Sequence, residues 1–169
     1  MSVTENIFNA APMSRDRDQF LRELVRELAG VLEDAVGLEE AEGFVARVGA
    51  RIGEMMDSEY REAAGEEHLN ARQVADALVD LKRRIEGGFT VESIDDSRIT
   101  LINTACPFGD YVVGRESLCM MTSNVFGRIA ANNLDYARVE LQQTIARGAE
   151  GCRVVVHLTE GSAGREYFS

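Results

Sequence analysis

The sequence predicts an α+β fold, with N-terminal helices packed with a four-stranded, mainly antiparallel sheet and one further helix. Three observations carry this. Apolar residues recur at three- and four-residue spacing through the first half of the chain. After Gly87-Gly88 the period drops to two. The later segments then fall in the order strand, strand, helix, strand, strand, which suits a sheet covered by helices on one face. Residues 1–13 lack periodicity and read as a mobile tail. Residues 14–169 read as a single domain, with a helical half over 14–88 and a cysteine-bearing α+β half over 89–169.

The first helix carries Phe20, Leu21, Leu24, Val25, Leu28 and Leu32 and runs up to Gly37. The second carries Ala41, Phe44, Val45, Val48, Ile52, Met55 and Met56 on one stripe, with Gly49 and Gly53 beside it. A glycine inside a helix costs about 1 kcal/mol relative to alanine, so this pair implies close approach of another backbone. The third helix begins at Asn70, whose side chain can cap it while Gln73 reaches back. Val74, Ala77, Leu78, Leu81 and Ile85 form its apolar stripe. Phe89–Ile94 and Arg98–Thr104 alternate around an Asp95-Asp96-Ser97 turn and predict a hairpin. A helix follows from about Glu116 to Asn132, and strands over Tyr136–Ile145 and Cys152–Leu158 close the domain.

With 29 acidic against 18 basic residues the net charge is −11, which repels a polyanion overall and argues against direct nucleic-acid binding. No run of about 18 apolar residues is present to span a membrane. Three cysteines, an odd number, without an export signal predict the reducing cytoplasm and no disulfide framework.

All three cysteines, Cys106, Cys119 and Cys152, fall in the last 64 residues. Strand alternation turns Cys152, Val154, Val156 and Leu158 toward the helices and Arg153, Val155 and His157 away from them. Glu116 and Cys119, three apart, share a helix face. Cys106 lies on a loop stiffened by Pro107. All three thiols can therefore meet at one end of the helix–sheet interface. With Glu116 or solvent as the fourth group, they could hold zinc or an iron–sulfur cluster. Twelve residues separate the first pair and 32 the second, a spacing that is not that of a zinc finger or a ferredoxin. A different reading makes the cysteines core residues of an apolar small-molecule site lined by Phe108, Tyr111, Met120, Met121, Asn124 and Phe126. A nucleophilic Cys106 or Cys119 would need a base in reach, and neither His68 nor His157 forms a recognisable pairing, so an enzyme is the least favoured reading.

The runs Cys106-Pro-Phe-Gly-Asp110, Leu118-Cys-Met-Met-Thr-Ser-Asn-Val-Phe-Gly127, Tyr136-Ala-Arg-Val-Glu-Leu141 and Gly151-Cys-Arg-Val-Val-Val156 resemble the methanogen output domain family. The resemblance covers about residues 17–158 and is most specific over 103–156. That family's regulatory modules stand alone or beside PAS and kinase domains, and look related to 4-vinyl-reductase, haem-NO-binding and TRAPP-type folds. The cysteines are also similar to those of iron–sulfur-sensing regulators. The resemblance implies a sensory or regulatory domain that binds a metal centre or small ligand and signals through a separate kinase or transcription regulator. Two departures matter. Ala130–Leu134 lacks the additional cysteine of the cluster-binding regulators. In the zinc pattern of the 4-vinyl-reductase domains, Glu140 and Cys152 fit, but Gln143 stands where a cysteine belongs. Finally, the helical half offers more apolar stripe than one small sheet can cover, and with the Gly49/Gly53 pair this predicts a homodimer.

Overall fold

A computed structural model describes residues 15–169; the tail expected over 1–13 lies outside them. Helix α1 spans Arg17–Val36, α2 Leu38–Ala64, α3 Ala71–Arg84 and α4 Cys119–Leu134. The strands are β1 Thr90–Ile94, β2 Arg98–Asn103, β3 Tyr136–Gln143, β4 Cys152–His157 and β5 Arg165–Phe168.

Local chemistry explains most boundaries. The Asp16 carboxylate accepts the Gln19 amide and starts α1. A full capping box, Asn70 with Gln73, starts α3 as its sequence predicts. In the β1–β2 turn, Asp95 accepts from the Ser97 amide and hydroxyl and from the Arg98 amide. The helix expected from Glu116 opens as a 3₁₀ turn over Glu116–Leu118 and becomes α-helical at Cys119.

The sheet has five strands in the order β1-β2-β4-β3-β5, each neighbouring pair antiparallel. The class is thus the expected α+β, with one more strand than the sequence predicts. Strand β5 adds to the outer edge of β3, pairing Tyr136 with Phe168. Its buried Tyr167 lays its ring against Gly127 of α4, where any side chain would collide, and bonds Ser123 through its hydroxyl at 2.8 Å.

One core cluster joins α3, α4 and the sheet through residues such as Leu78, Ile99, Phe126, Ile129 and Val156. Helix α2 lies close on α4 because it presents glycine there. A Cβ on Gly49 would sit 2.9 Å from Asn124 Cβ, and one on Gly53 2.9 Å from Arg128 Cβ. The glycine pair therefore serves contact within the chain, not between copies. Deeper along the same seam, the fully buried Asp57 is held by Arg61, Asn132 and Asn133. Using its glycine face inward leaves the other face of α2 outward, so Phe44, Val48, Ile52 and Met55 are exposed. On α1, Phe20, Leu21, Leu24, Leu28 and Val31 are exposed too. Among the described residues no helix is long and apolar enough to cross a membrane.

A smaller cluster sits at the other end of the domain. There Val25 and Ala29 of α1 pack on Phe108, Val112 and Leu118 of the β2–α4 loop, with Ile145 and Ala146 beside them. The seam between the two clusters holds the candidate site.

Candidate functional site

Asn103, the last residue of β2, organises this end of the molecule. Its side-chain oxygen accepts the Cys152 amide at 2.8 Å, and its nitrogen donates to the carbonyls of Gly87 and Ala105. One buried amide thus ties together β4, the turn after α3 and the start of the β2–α4 loop, with both its N–H groups spent.

Behind it lies a cavity of about 290 Å³. Leu141, Cys152 and Val154 form its floor on the sheet, and Cys119, Met121 and Thr122 of α4 form one wall. Lys82, Ile85 and Phe89 close the α3 side, and Cys106, Phe108 and Val112 close the loop side. The three cysteines, free of disulfides, therefore face one space. The loop wall is clamped from outside by α1. Arg26 donates to the carbonyls of Tyr111 and Val113 at 2.6 and 2.8 Å, and Glu33 accepts from the Ser117 hydroxyl at 2.6 Å.

The charge inside belongs to Lys82. Its side chain lies within the wall, 5% exposed, and its ammonium donates to Thr122 Oγ1 at 2.7 Å. The rings of Phe126 and Phe89 stand 5.3 and 5.6 Å from the nitrogen, within cation–π range. Burial lowers its pKa to about 8, against the opposing pull of the nearby cysteines. Burial acts oppositely on the thiols, raising that of Cys106 and pushing Cys119 up to about 12, which keeps both protonated near neutral pH. Cys152 Sγ accepts the Ile145 amide at 3.5 Å.

Sharing a cavity is not the same as forming a coordination set. Among the described residues, no group of three or more His, Cys, Asp and Glu side chains is arranged to hold a metal ion. Glu116, expected as the fourth ligand, points outward and pairs with Arg147 at 2.9 Å. Glu140 is taken by His157 at 2.8 Å, on the sheet face away from the cavity. The Lys82 ammonium, near the thiols, adds a positive charge that disfavours a cation below about pH 8. The described side chains thus form no ready coordination set for zinc or an iron–sulfur cluster.

Of the six residues expected to line an apolar site, Phe108 and Met121 do so. Met120, one position from Met121, is turned by the helix to a separate groove beside Glu42 and Ser123. Asn124 lies under Gly49 and bonds the Met120 carbonyl. Phe126 is a fully buried core residue stacked edge-on against Phe89. Tyr111 lies on the outer side of the loop, next to Arg26 and Asp110. Lys82 escaped the sequence reading. Its signal was present, because Ala75, Leu78, Lys82 and Ile85 follow at helical spacing and put a lysine on an apolar face.

Residues 24–157 match the family model described as Methanogen output domain 1. No curated protein matches the chain significantly. Among solved structures, the fold is similar to a crystal structure of a trafficking protein particle complex subunit 3 from Naegleria fowleri covalently bound to palmitic acid. That comparison has a TM-score of 0.61 and 15% identity, and covers 84% of this chain and 97% of that one. At this identity the likeness establishes the fold alone.

Proposed function

Because the chain belongs to the Methanogen output domain 1 family, we propose that it is a cytoplasmic regulatory domain that takes a small, largely apolar ligand into the three-cysteine cavity. It reports occupancy through partner contacts on α1 and α2. The observation that carries this is the cavity itself, walled by aliphatic, aromatic and thiol groups, with one charged side chain inside. Its volume of about 290 Å³ falls just below the usual range for small-molecule sites, about 300–1,000 Å³, and so suits a small ligand. The palmitate carried by the trafficking-complex subunit of similar fold supports the same use of the architecture. The output route follows from the clamp: Phe108 and Val112 touch both the cavity and the cluster that includes Val25 and Ala29 of α1. The exposed apolar stripes of α1 and α2 then offer the surface for a second copy or a signalling protein.

Titration of the full chain, prepared anaerobically, with the apolar fluorophore Nile red tests the reading. Saturable binding of one probe per chain is expected, together with slower labelling of the cysteines once it is bound. Ile145→Trp, which fills a partly exposed wall position, should abolish both effects while the far-UV spectrum stays unchanged. Absence of saturable binding, or binding indifferent to Ile145→Trp, overturns the reading. Stoichiometric zinc or iron in the purified protein also overturns it, and returns the cysteines to a metal-binding role.

A further inference from the structure

Lys82 is placed in a way that packing alone does not explain. Lysine ordinarily buries its aliphatic stem and carries the ammonium out to water. The neighbouring Arg83 and Arg84 remain exposed and pair with Asp80. Lys82 instead turns inward, its Cδ pressed where any side chain on Gly87 would reach within 3.1 Å, and its ammonium ends inside the cavity. No carboxylate lies within ion-pair distance of it among the described residues. Among those residues its one hydrogen-bond partner is the neutral hydroxyl of Thr122.

A buried cation without a counter-ion is a costly arrangement, and no carboxylate lines the cavity to relieve it. The Asn103 amide is fully engaged. The thiols of Cys106 and Cys119 are neutral near pH 7, since burial raises both. What remains available is two ammonium N–H groups and the Thr122 O–H, whose oxygen already accepts from Lys82. Adjacent N–H and O–H donors match the two oxygens of one carboxylate. A phosphate group, with a charge of about −1.5 to −2, would be left undercompensated by a single ammonium.

We propose that Lys82 is a specificity-determining residue: with Thr122 it selects, from apolar molecules small enough for the cavity, those bearing one carboxylate. The ligand is then a carboxylic acid with an aliphatic or aromatic body, its head group on Lys82 and its body between Phe108, Met121, Leu141 and Val154. This rests on the cavity being a ligand site, as proposed above. The lowered pKa of Lys82 adds a pH signature, because deprotonation above about 8 removes the charge that the carboxylate recognises.

Calorimetric titration of the full chain with octanoate, octan-1-ol and octylamine separates the possibilities. Near pH 7 the wild type should bind octanoate at least roughly tenfold more tightly than octanol, and octylamine weakest of all. Lys82→Met should erase the acid's advantage while still binding the alcohol. In the wild type, octanoate affinity should fall as the pH is raised through 8 to 9.5, and octanol affinity should not. The pH series needs no variant, and Lys82→Gln serves as a second substitution if Lys82→Met does not fold. Equal affinity for acid and alcohol, or an acid preference that survives loss of Lys82, overturns the selectivity and leaves the apolar site standing. Failure of both acid and alcohol to bind overturns the selectivity and the site together.

Discussion

Replacing Lys82 with methionine should stabilise the ligand-free protein, and the size of the effect follows from the cavity. The buried ammonium has one hydroxyl and two ring faces for company, and burial lowers its pKa from 10.5 to about 8. Below about 8 both folded and unfolded chains carry the charge, and the fold bears the full cost of burying it. Between about 8 and 10.5 the unfolded chain holds a proton that the fold has released, so this lysine makes stability rise with pH. At 1.36 kcal/mol per pH unit, the interval corresponds to about 3 kcal/mol. Methionine keeps an apolar stem against Phe89 and Phe126 and forfeits the bond to Thr122, worth about 1 kcal/mol. The expected gain near pH 7 is therefore about 2 kcal/mol, read as a higher urea midpoint at unchanged slope. Cys106 and Cys119 titrate in the opposite sense, because their raised values make stability fall as the pH climbs past about 9. Below about pH 9 the folded chain keeps both thiols protonated with or without Lys82, so over that range the difference between variant and wild type reads Lys82. That difference should shrink as the pH passes 8. A variant less stable than the wild type at pH 7, or a gap that does not change with pH, would refute this account of the buried charge.

Two further outcomes are expected. Gly49→Val should lower the thermal midpoint by an amount equivalent to about 2 kcal/mol, because the new Cβ would lie 2.9 Å from Asn124 Cβ and 3.3 Å from Met121 Cα. An unchanged midpoint would show that α2 can move off α4 at little cost. The full chain should scatter light as a dimer at micromolar concentration, and the double change Leu28→Glu with Phe44→Glu should return a monomer of unchanged helicity. Those side chains are 61% and 51% exposed, respectively, and a wild-type monomer would leave the two stripes for a different protein.

Much of this architecture was legible in the sequence because it rests on local rules. The Asn70/Gln73 box, the Asp95 turn and the period-two strands depend on residues a few positions apart. The phase of β4 likewise puts Cys152 over the cavity and His157 on the other face, beside Glu140. What was hidden depends on distant partners. Strand β5 is four residues long and buries only Tyr167, too little alternation to register, and its place is set by the edge of β3 and by Gly127. The glycines of α2 announced a close contact but not with what, since sequence cannot tell a neighbouring helix from a second copy. Glu116 was a fair candidate ligand by spacing, yet Arg147, 31 residues away, claims it. Of Met120 and Met121 only one can face the cavity, because adjacent residues on a helix point about 100° apart. Phe126, two turns beyond Cys119, falls inside the closed core.

The position of the cavity also constrains how an occupant can be felt elsewhere. Its floor belongs to a sheet whose central strands β2, β4 and β3 are paired on both sides, and that surface has little freedom to yield. Its loop wall, residues 104–118, is held by short 3₁₀ turns, by packing against Val25 and Ala29, and by the bonds from Arg26 and Glu33. A ligand shifts an equilibrium only by as much as it prefers one arrangement over another, and the loop is the one wall of the cavity not built into the sheet or a long helix. Any displacement of Phe108 or Val112 acts on the residues that fix α1, and α1 carries Leu24, Leu28 and Val31 exposed. On the proposed reading the signal therefore leaves the cavity through the loop and α1, while the sheet acts as the fixed frame against which they move.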